Sequence, residues 1–166
     1  LLGSLQLIYW KYASGDWIVY SYQDQGFSWL KPHVKNVLFS ARKGWLVYTP
    51  YMALSLLGFF FWYRNQRPYF WAIFLFTLLN FWIASAWDIW WYGGSFGQRA
   101  MVQSYALLAL PLGAFWTWAL KKNWSTGLFG LVTLGCVWLN VLQTWQAHKG
   151  ILDPEYMTKA YYWRTF

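Results

Sequence analysis

Four stretches, residues 45–63, 69–87, 100–120 and 124–147, carry no charged side chain, and each approaches the length that a helix needs to cross a bilayer. The hydrocarbon core takes about 20 helical residues to span, and a charge at its centre costs about 2.5 to 3.5 kcal/mol. The sequence therefore predicts an all-α integral membrane protein with four complete transmembrane helices. Leu1 to Trp10 reads as the end of an earlier membrane helix. On that reading residues 1–166 form a single transmembrane bundle, the C-terminal part of a longer membrane protein.

The mean hydropathy of +0.23 looks low for such a chain, but hydropathy scales rate Trp and Tyr as nearly polar, and there are 16 Trp and 13 Tyr. Their amphipathic rings favour the headgroup level of a membrane. Trp45, Trp62, Tyr63, Tyr69, Trp71, Trp87, Trp90, Trp91, Trp124 and Trp145 fall at or near the ends of the uncharged stretches, as aromatic belts would.

A net charge of +8 could suggest nucleic acid, yet the basic residues form short clusters between apolar stretches and no continuous stripe. Anionic lipid headgroups or a phosphate-bearing lipid suit that distribution better, and no nucleic-acid partner is expected. Cys136 is the only cysteine, so there is no disulfide framework. His33 and His148 stand far apart without ligand-like spacing, and neither a metal nor another cofactor is called for.

Two shorter helices are expected at the membrane surface. Over 32–43, Pro32 can open a helix, Val34, Val37, Leu38 and Ala41 follow at helical spacing, and Gly44 can close it; a solvated loop is the alternative. Over 153–164, Asp153-Pro154-Glu155 resembles a capped helix start, followed by Tyr156, Met157, Ala160, Tyr161 and Trp163. The connections 64–68 and 121–123 are short, so the helices they join are antiparallel neighbours and both turns share one side. The segment 14–44, the loop 88–99 and the tail then share the other. Charge counting does not orient the bundle, because the short turns carry Arg64, Arg67, Lys121 and Lys122 while the opposite side carries more cations in total.

The densest cluster of polar and glycine residues runs from Trp87 to Arg99. Gly93, Gly94 and Gly97 let the backbone turn sharply, Ser95 and Gln98 add polar groups, and Asp88 and Arg99 place opposite charges at two helix mouths. Arg99 precedes a helix, where free N–H groups favour an anion. The cluster reads either as a lipid-phosphate seat built on Arg99 or as a compact turn in which Asp88 and Arg99 pair. The glycine spacing 93 to 97 matches a helix-dimerisation motif but lies outside any span. Arg42 and Lys43 form a second cationic candidate, as phosphate ligands or as a juxtamembrane anchor, and Thr49-Pro50 beyond them can bend a helix and free a backbone carbonyl.

Three blocks, Arg42 to Pro50, Trp90 to Ala100 and Met157 to Trp163, resemble the C-terminal half of bacterial GT-C-type glycosyltransferases. These are relatives of protein O-mannosyltransferases and lipid A aminoarabinose transferases, and the likeness is to members from Bacteroidetes-type bacteria. The resemblance implies a multi-pass protein of the bacterial inner membrane that moves a sugar from a polyprenyl-phosphate donor at the outer face. Arg99, Arg42 and Lys43 would then stabilise the departing lipid phosphate. The carboxylate base that such enzymes carry in their first external loop has no counterpart here. Asp16 and Asp24, the only carboxylates of the long N-terminal loop, stand in a different context, so no catalytic residue is assigned. The competing reading is a non-catalytic accessory or structural membrane subunit of a larger complex, with other membrane subunits as its partners.

Overall fold

The computed structural model describes residues 2–19, 22, 25–64 and 68–166, and Asp24 and Arg67 lie outside them. Among the described residues the protein is all-helical: α1 (Leu2–Ser14), α2 (Val34–Phe39), α3 (Trp45–Tyr48), α4 (Met52–Arg64), α5 (Phe70–Ala86), α6 (Arg99–Val102), α7 (Tyr105–Ala119), α8 (Asn123–His148) and α9 (Lys159–Arg164).

The centre of the molecule is the α4–α7 pair. Gly58 lies so close to α7 that a Cβ there would collide with the Pro111 carbonyl oxygen and stand 2.5 Å from its carbon. A small residue at the contact allows this close approach of the two backbones. Leu54, Phe115 and Ala119 fill one side of the seam, and Phe59, Trp62, Ile73 and Leu108 fill the other. Phe61 stacks on Trp118 with ring centroids 4.4 Å apart. On α5, Asn80 donates to Ser104 Oγ at 2.8 Å, tying that helix to the α6–α7 junction.

Among the described residues one helix, α8, is long and apolar enough by length and composition to cross a membrane. Its 26 residues extend about 39 Å at the α-helical rise. Only 6% of its apolar window is buried, so it is not the core helix of a globule. Leu131, Leu134, Trp138 and Val141 are each at least 64% exposed. The α5 and α7 helices are apolar but shorter, at 17 and 15 residues.

The expected 45–63 helix is divided. Pro50 has no N–H, so the ladder stops at Thr49, whose N–H bonds Trp45 O at 2.8 Å, and the chain re-enters helix at Met52. The freed carbonyls are not left bare. Asn140 Nδ2 donates to Tyr48 O at 3.0 Å and Gln143 Nε2 to Val47 O at 3.4 Å, both from α8. The expected 100–120 helix likewise splits into α6 and α7 around Gln103 and Ser104.

Both surface helices are shorter than expected. The 32–43 segment forms α2 only, because Ser40 turns extended and its hydroxyl accepts the Arg42 N–H at 3.1 Å. Gly44 starts α3 instead of closing α2, and a Cβ on it would lie 2.5 Å from Ser40 O. In 153–164 the aspartate caps a turn, Asp153 Oδ1 accepting from Glu155 N and Tyr156 N at 2.7 Å each, while the helix itself begins after Thr158, which accepts from Tyr161 N. The aromatic set also divides. Tyr63, Tyr69, Trp71, Trp124 and Trp145 are exposed, whereas Trp45, Trp62 and Trp90 are buried, and Trp45 Nε1 donates to Tyr105 Oη at 3.1 Å.

Candidate functional site

Three segments meet at the end of the bundle away from the α7–α8 turn: the stretch 25–44, the loop 87–98 and the tail after α8. The first is pinned to the end of α5. Ser28 and His33 donate their N–H groups to Ala86 O and Ser85 O, each at 2.7 Å, and satisfy carbonyls that a helix end leaves open. Asp88 completes the joint, accepting from Ser28 Oγ at 2.6 Å and Gly26 N at 2.9 Å. Those two hydrogen bonds hold its carboxyl below the usual range, with His33 adding a smaller favourable charge. Asp88 is thus a loop clamp, and its hydrogen bonds go to the 25–33 segment, not to Arg99.

Lys43 sits under the glycine loop, its side chain 1% exposed. Its Nζ lies 3.4 Å from Ser95 Oγ, a long contact that leaves two of the three ammonium donors without an acceptor among the described residues. Burial is the main reason its pKa falls to about 8, the neighbouring Arg42 adds to the fall, and Glu155 opposes it. Arg99 depresses it further and Asp153 offsets part of this. Arg42 lies beside it with its guanidinium 3.8 Å from the centre of the Trp91 ring, a cation–π contact, and 5.9 Å from that of Tyr156. Its buried Nε has no partner among the described residues.

These groups wall a cavity of about 250 Å³. Arg42 and Lys43 form one side, Gly94, Ser95 and Gly97 the loop above, Tyr48 the apolar floor, and Asp153 and Pro154 the rim. Gly97 is required where it stands, with φ at +57° and Tyr48 Cβ 3.2 Å from where its own Cβ would be. Gln98 is buried beneath and donates to Trp90 O at 3.0 Å, a structural role within the loop.

Arg42 and Lys43 thus share a cavity with Gly94, Ser95 and Gly97. Arg99 does not line it. That side chain is exposed and lines a second cavity, of about 560 Å³, with Phe27, Trp87, Tyr92 and Gly93. Its charge reaches Lys43 across the glycine loop, but the two cationic groups face different spaces.

Sequence reasoning missed two contributions. Asn140, Gln143 and Gln146 form a polar seam on α8: Gln143 also bonds Tyr162 Oη at 2.6 Å, and Gln146 bonds Thr165 O at 2.7 Å. Amides at i, i+3 and i+6 of an uncharged helix were the available signal, since all three lie on one face. The tail acids were the other: Asp153 and Glu155 act on Lys43 from a segment read only as a helix start.

Compared with family models, curated proteins and solved structures, the chain matches none.

Proposed function

We propose that this chain is the lipid-phosphate-binding membrane portion of a GT-C-like glycosyltransferase of the bacterial inner membrane, taking a sugar from a polyprenyl-phosphate donor. The observation that carries the reading is Lys43, buried beneath a glycine-bent loop with Arg42 beside it and, among the described residues, one long contact to Ser95, at the wall of a cavity. A buried lysine without a full set of acceptors is costly unless an anion completes it. A phosphate ester supplies both the charge and the acceptor oxygens.

On this reading the chain crosses the membrane four times, through the α3–α4 pair, α5, the α6–α7 pair and α8. The exposed apolar surfaces of α5 and α8, including Trp71, Leu79, Leu131 and Leu134, support it. A stretch broken inside the bilayer is tolerable where its open backbone groups find partners, and the amides of α8 supply them here. Arg42 and Lys43 would stabilise charge on the departing phosphate, and Arg99, across the loop, would add long-range attraction. A second reading, a non-catalytic subunit packed on other membrane proteins, draws on the same bare α8 surface.

The test is Lys43→Met in the full-length protein. Loss of one charge-assisted contact, about 1.5 to 3 kcal/mol, should weaken donor binding about tenfold to a hundredfold with membrane insertion intact. Unaltered donor affinity in that variant would remove the phosphate role and favour the subunit.

A further inference from the structure

A second basic cavity lies on the other side of Arg42, between α2 and α9, with a volume of about 330 Å³. Lys35 and Asn36 enter from α2, Lys159 from α9, and Arg42 closes the wall it shares with the first cavity. Among the described residues no carboxylate lines it, in contrast to its neighbour, where Asp153 stands at the rim. Three cations without an acid constitute a site for an anion. The surroundings narrow the choice of anion. Phe39 and Trp163 line the same cavity and are 59% and 66% exposed. Val47 and Met157 add further apolar surface. A free phosphate would use the lysines and leave these apolar groups facing water, whereas a phospholipid would use both.

We infer that the α2–α9 cavity binds the headgroup of an anionic glycerophospholipid, its phosphate between Lys35 and Lys159 and the start of its acyl chains over Phe39 and Trp163. The site is separate from the Lys43 cavity and does not depend on the transferase reading. It would hold α2 and α9 together at the membrane surface through a shared ligand, since each is only six residues long and too short to be stable alone.

The experiment uses the full chain in neutral detergent and dansyl-labelled phosphatidylglycerol, read by energy transfer from the protein's tryptophans. Basic groups near an anionic headgroup contribute about 1 kcal/mol each. The double variant K35A/K159A should therefore bind about thirtyfold more weakly, which is about 2 kcal/mol at 1.4 kcal/mol per decade. Each single variant should account for about fivefold on the same scale. K35R/K159R should bind as the parent does. K121A/K122A, at the far end of α8, should change affinity by less than about twofold, because those charges lie beyond a Debye length. The inference is overturned if K121A/K122A loses as much as K35A/K159A, if phosphatidylcholine binds as well as phosphatidylglycerol, or if inorganic phosphate competes at the lipid's own concentration.

Discussion

Replacing Gly58 by alanine puts a methyl group into the close backbone contact between α4 and α7. The added carbon would overlap the Pro111 carbonyl oxygen and lie 2.5 Å from the carbonyl carbon, while ordinary contact begins at 3.4 Å. Both obstacles are backbone, so no rotamer change relieves them, and α4 must retreat from α7 by about 1 Å. A radial gap of that size forfeits a quarter to a half of the dispersion energy of the atoms along the seam. The seam includes the Phe61–Trp118 stack and the Phe61–Phe115 edge contact, at 4.4 and 6.0 Å between centroids. The expected cost is therefore about 2 kcal/mol, within the range found for overpacked interiors. Gly113→Ala on α7 is the matched control, because nothing lies within 4 Å of the added methyl. It should leave stability unchanged or raise it by up to about 1 kcal/mol through helix propensity. Unfolding in mixed detergent micelles, titrated with a denaturing detergent and read by circular dichroism, measures both. If Gly58→Ala and Gly113→Ala unfold together, the α4–α7 seam is not the structural centre that its geometry implies.

Anion binding at Lys43 should follow its ionisation. With a pKa near 8, affinity for a phosphate ester should fall about tenfold between pH 7 and pH 9, and the profile should be flat over that window in Lys43→Met. The same shift affects stability: the unfolded chain keeps its proton up to the ordinary lysine value of 10.5 while the folded chain loses it near 8. The unfolded state therefore holds more protons between those values, and stability should rise with pH across that window, an effect that calorimetry can follow. Gly97→Ala, at φ +57° with Tyr48 Cβ only 3.2 Å away, should cost about 1 to 2 kcal/mol and lower phosphate-ester affinity, while Gly93→Ala, at φ +67° in open space, should show the backbone penalty alone. Gln143→Leu removes both the 2.6 Å bond to Tyr162 and the donor to Val47 O, should cost about 3 kcal/mol because a backbone carbonyl is left without its partner, and should speed protease cleavage of the tail beyond Gly150.

Helix was legible because charge is absent over four long stretches, and the 121–123 turn was legible because it is short, while residues 65–67 of the other expected turn lie outside the described residues. The interruptions were legible only at Pro50, where a missing donor is written into the residue type. The split at Gln103 and Ser104 carries no such mark; it depends on Asn80 reaching Ser104 from another helix, a tertiary contact that no local pattern announces. The same limit explains the surface helices. Ser40 and Asp153 can cap a helix or close a turn, and which they do depends on the neighbours that Arg42 and Tyr156 find. Glycine content and charge singled out two of the segments that line the 250 Å³ cavity, so the proximity of Arg42 and Lys43 to Gly94, Ser95 and Gly97 was legible. Arg99 was placed with them by sequence proximity to the glycines, but positive φ at Gly93 and Gly97 turns the chain between them, and Arg99 emerges on the far side.

The break at Pro50 and the amide seam on α8 are two halves of one device. Without a partner, the carbonyls of Val47 and Tyr48 would sit in apolar surroundings at a cost of several kcal/mol each. Asn140 and Gln143 take them, and because these amides lie three residues apart they can do so in only one rotation of α8 about its axis. Fixing that rotation also fixes where α8 ends. Gly150 reverses the chain at φ +71°, and the tail returns across the same face to meet Gln143 through Tyr162 and Gln146 through Thr165. That return places Asp153 and Glu155 beside Lys43 and sets Lys159 opposite Lys35. The interrupted α3–α4 stretch, the amides of α8 and the returning tail are thus joined by one set of hydrogen bonds, and that set lies beside both basic cavities.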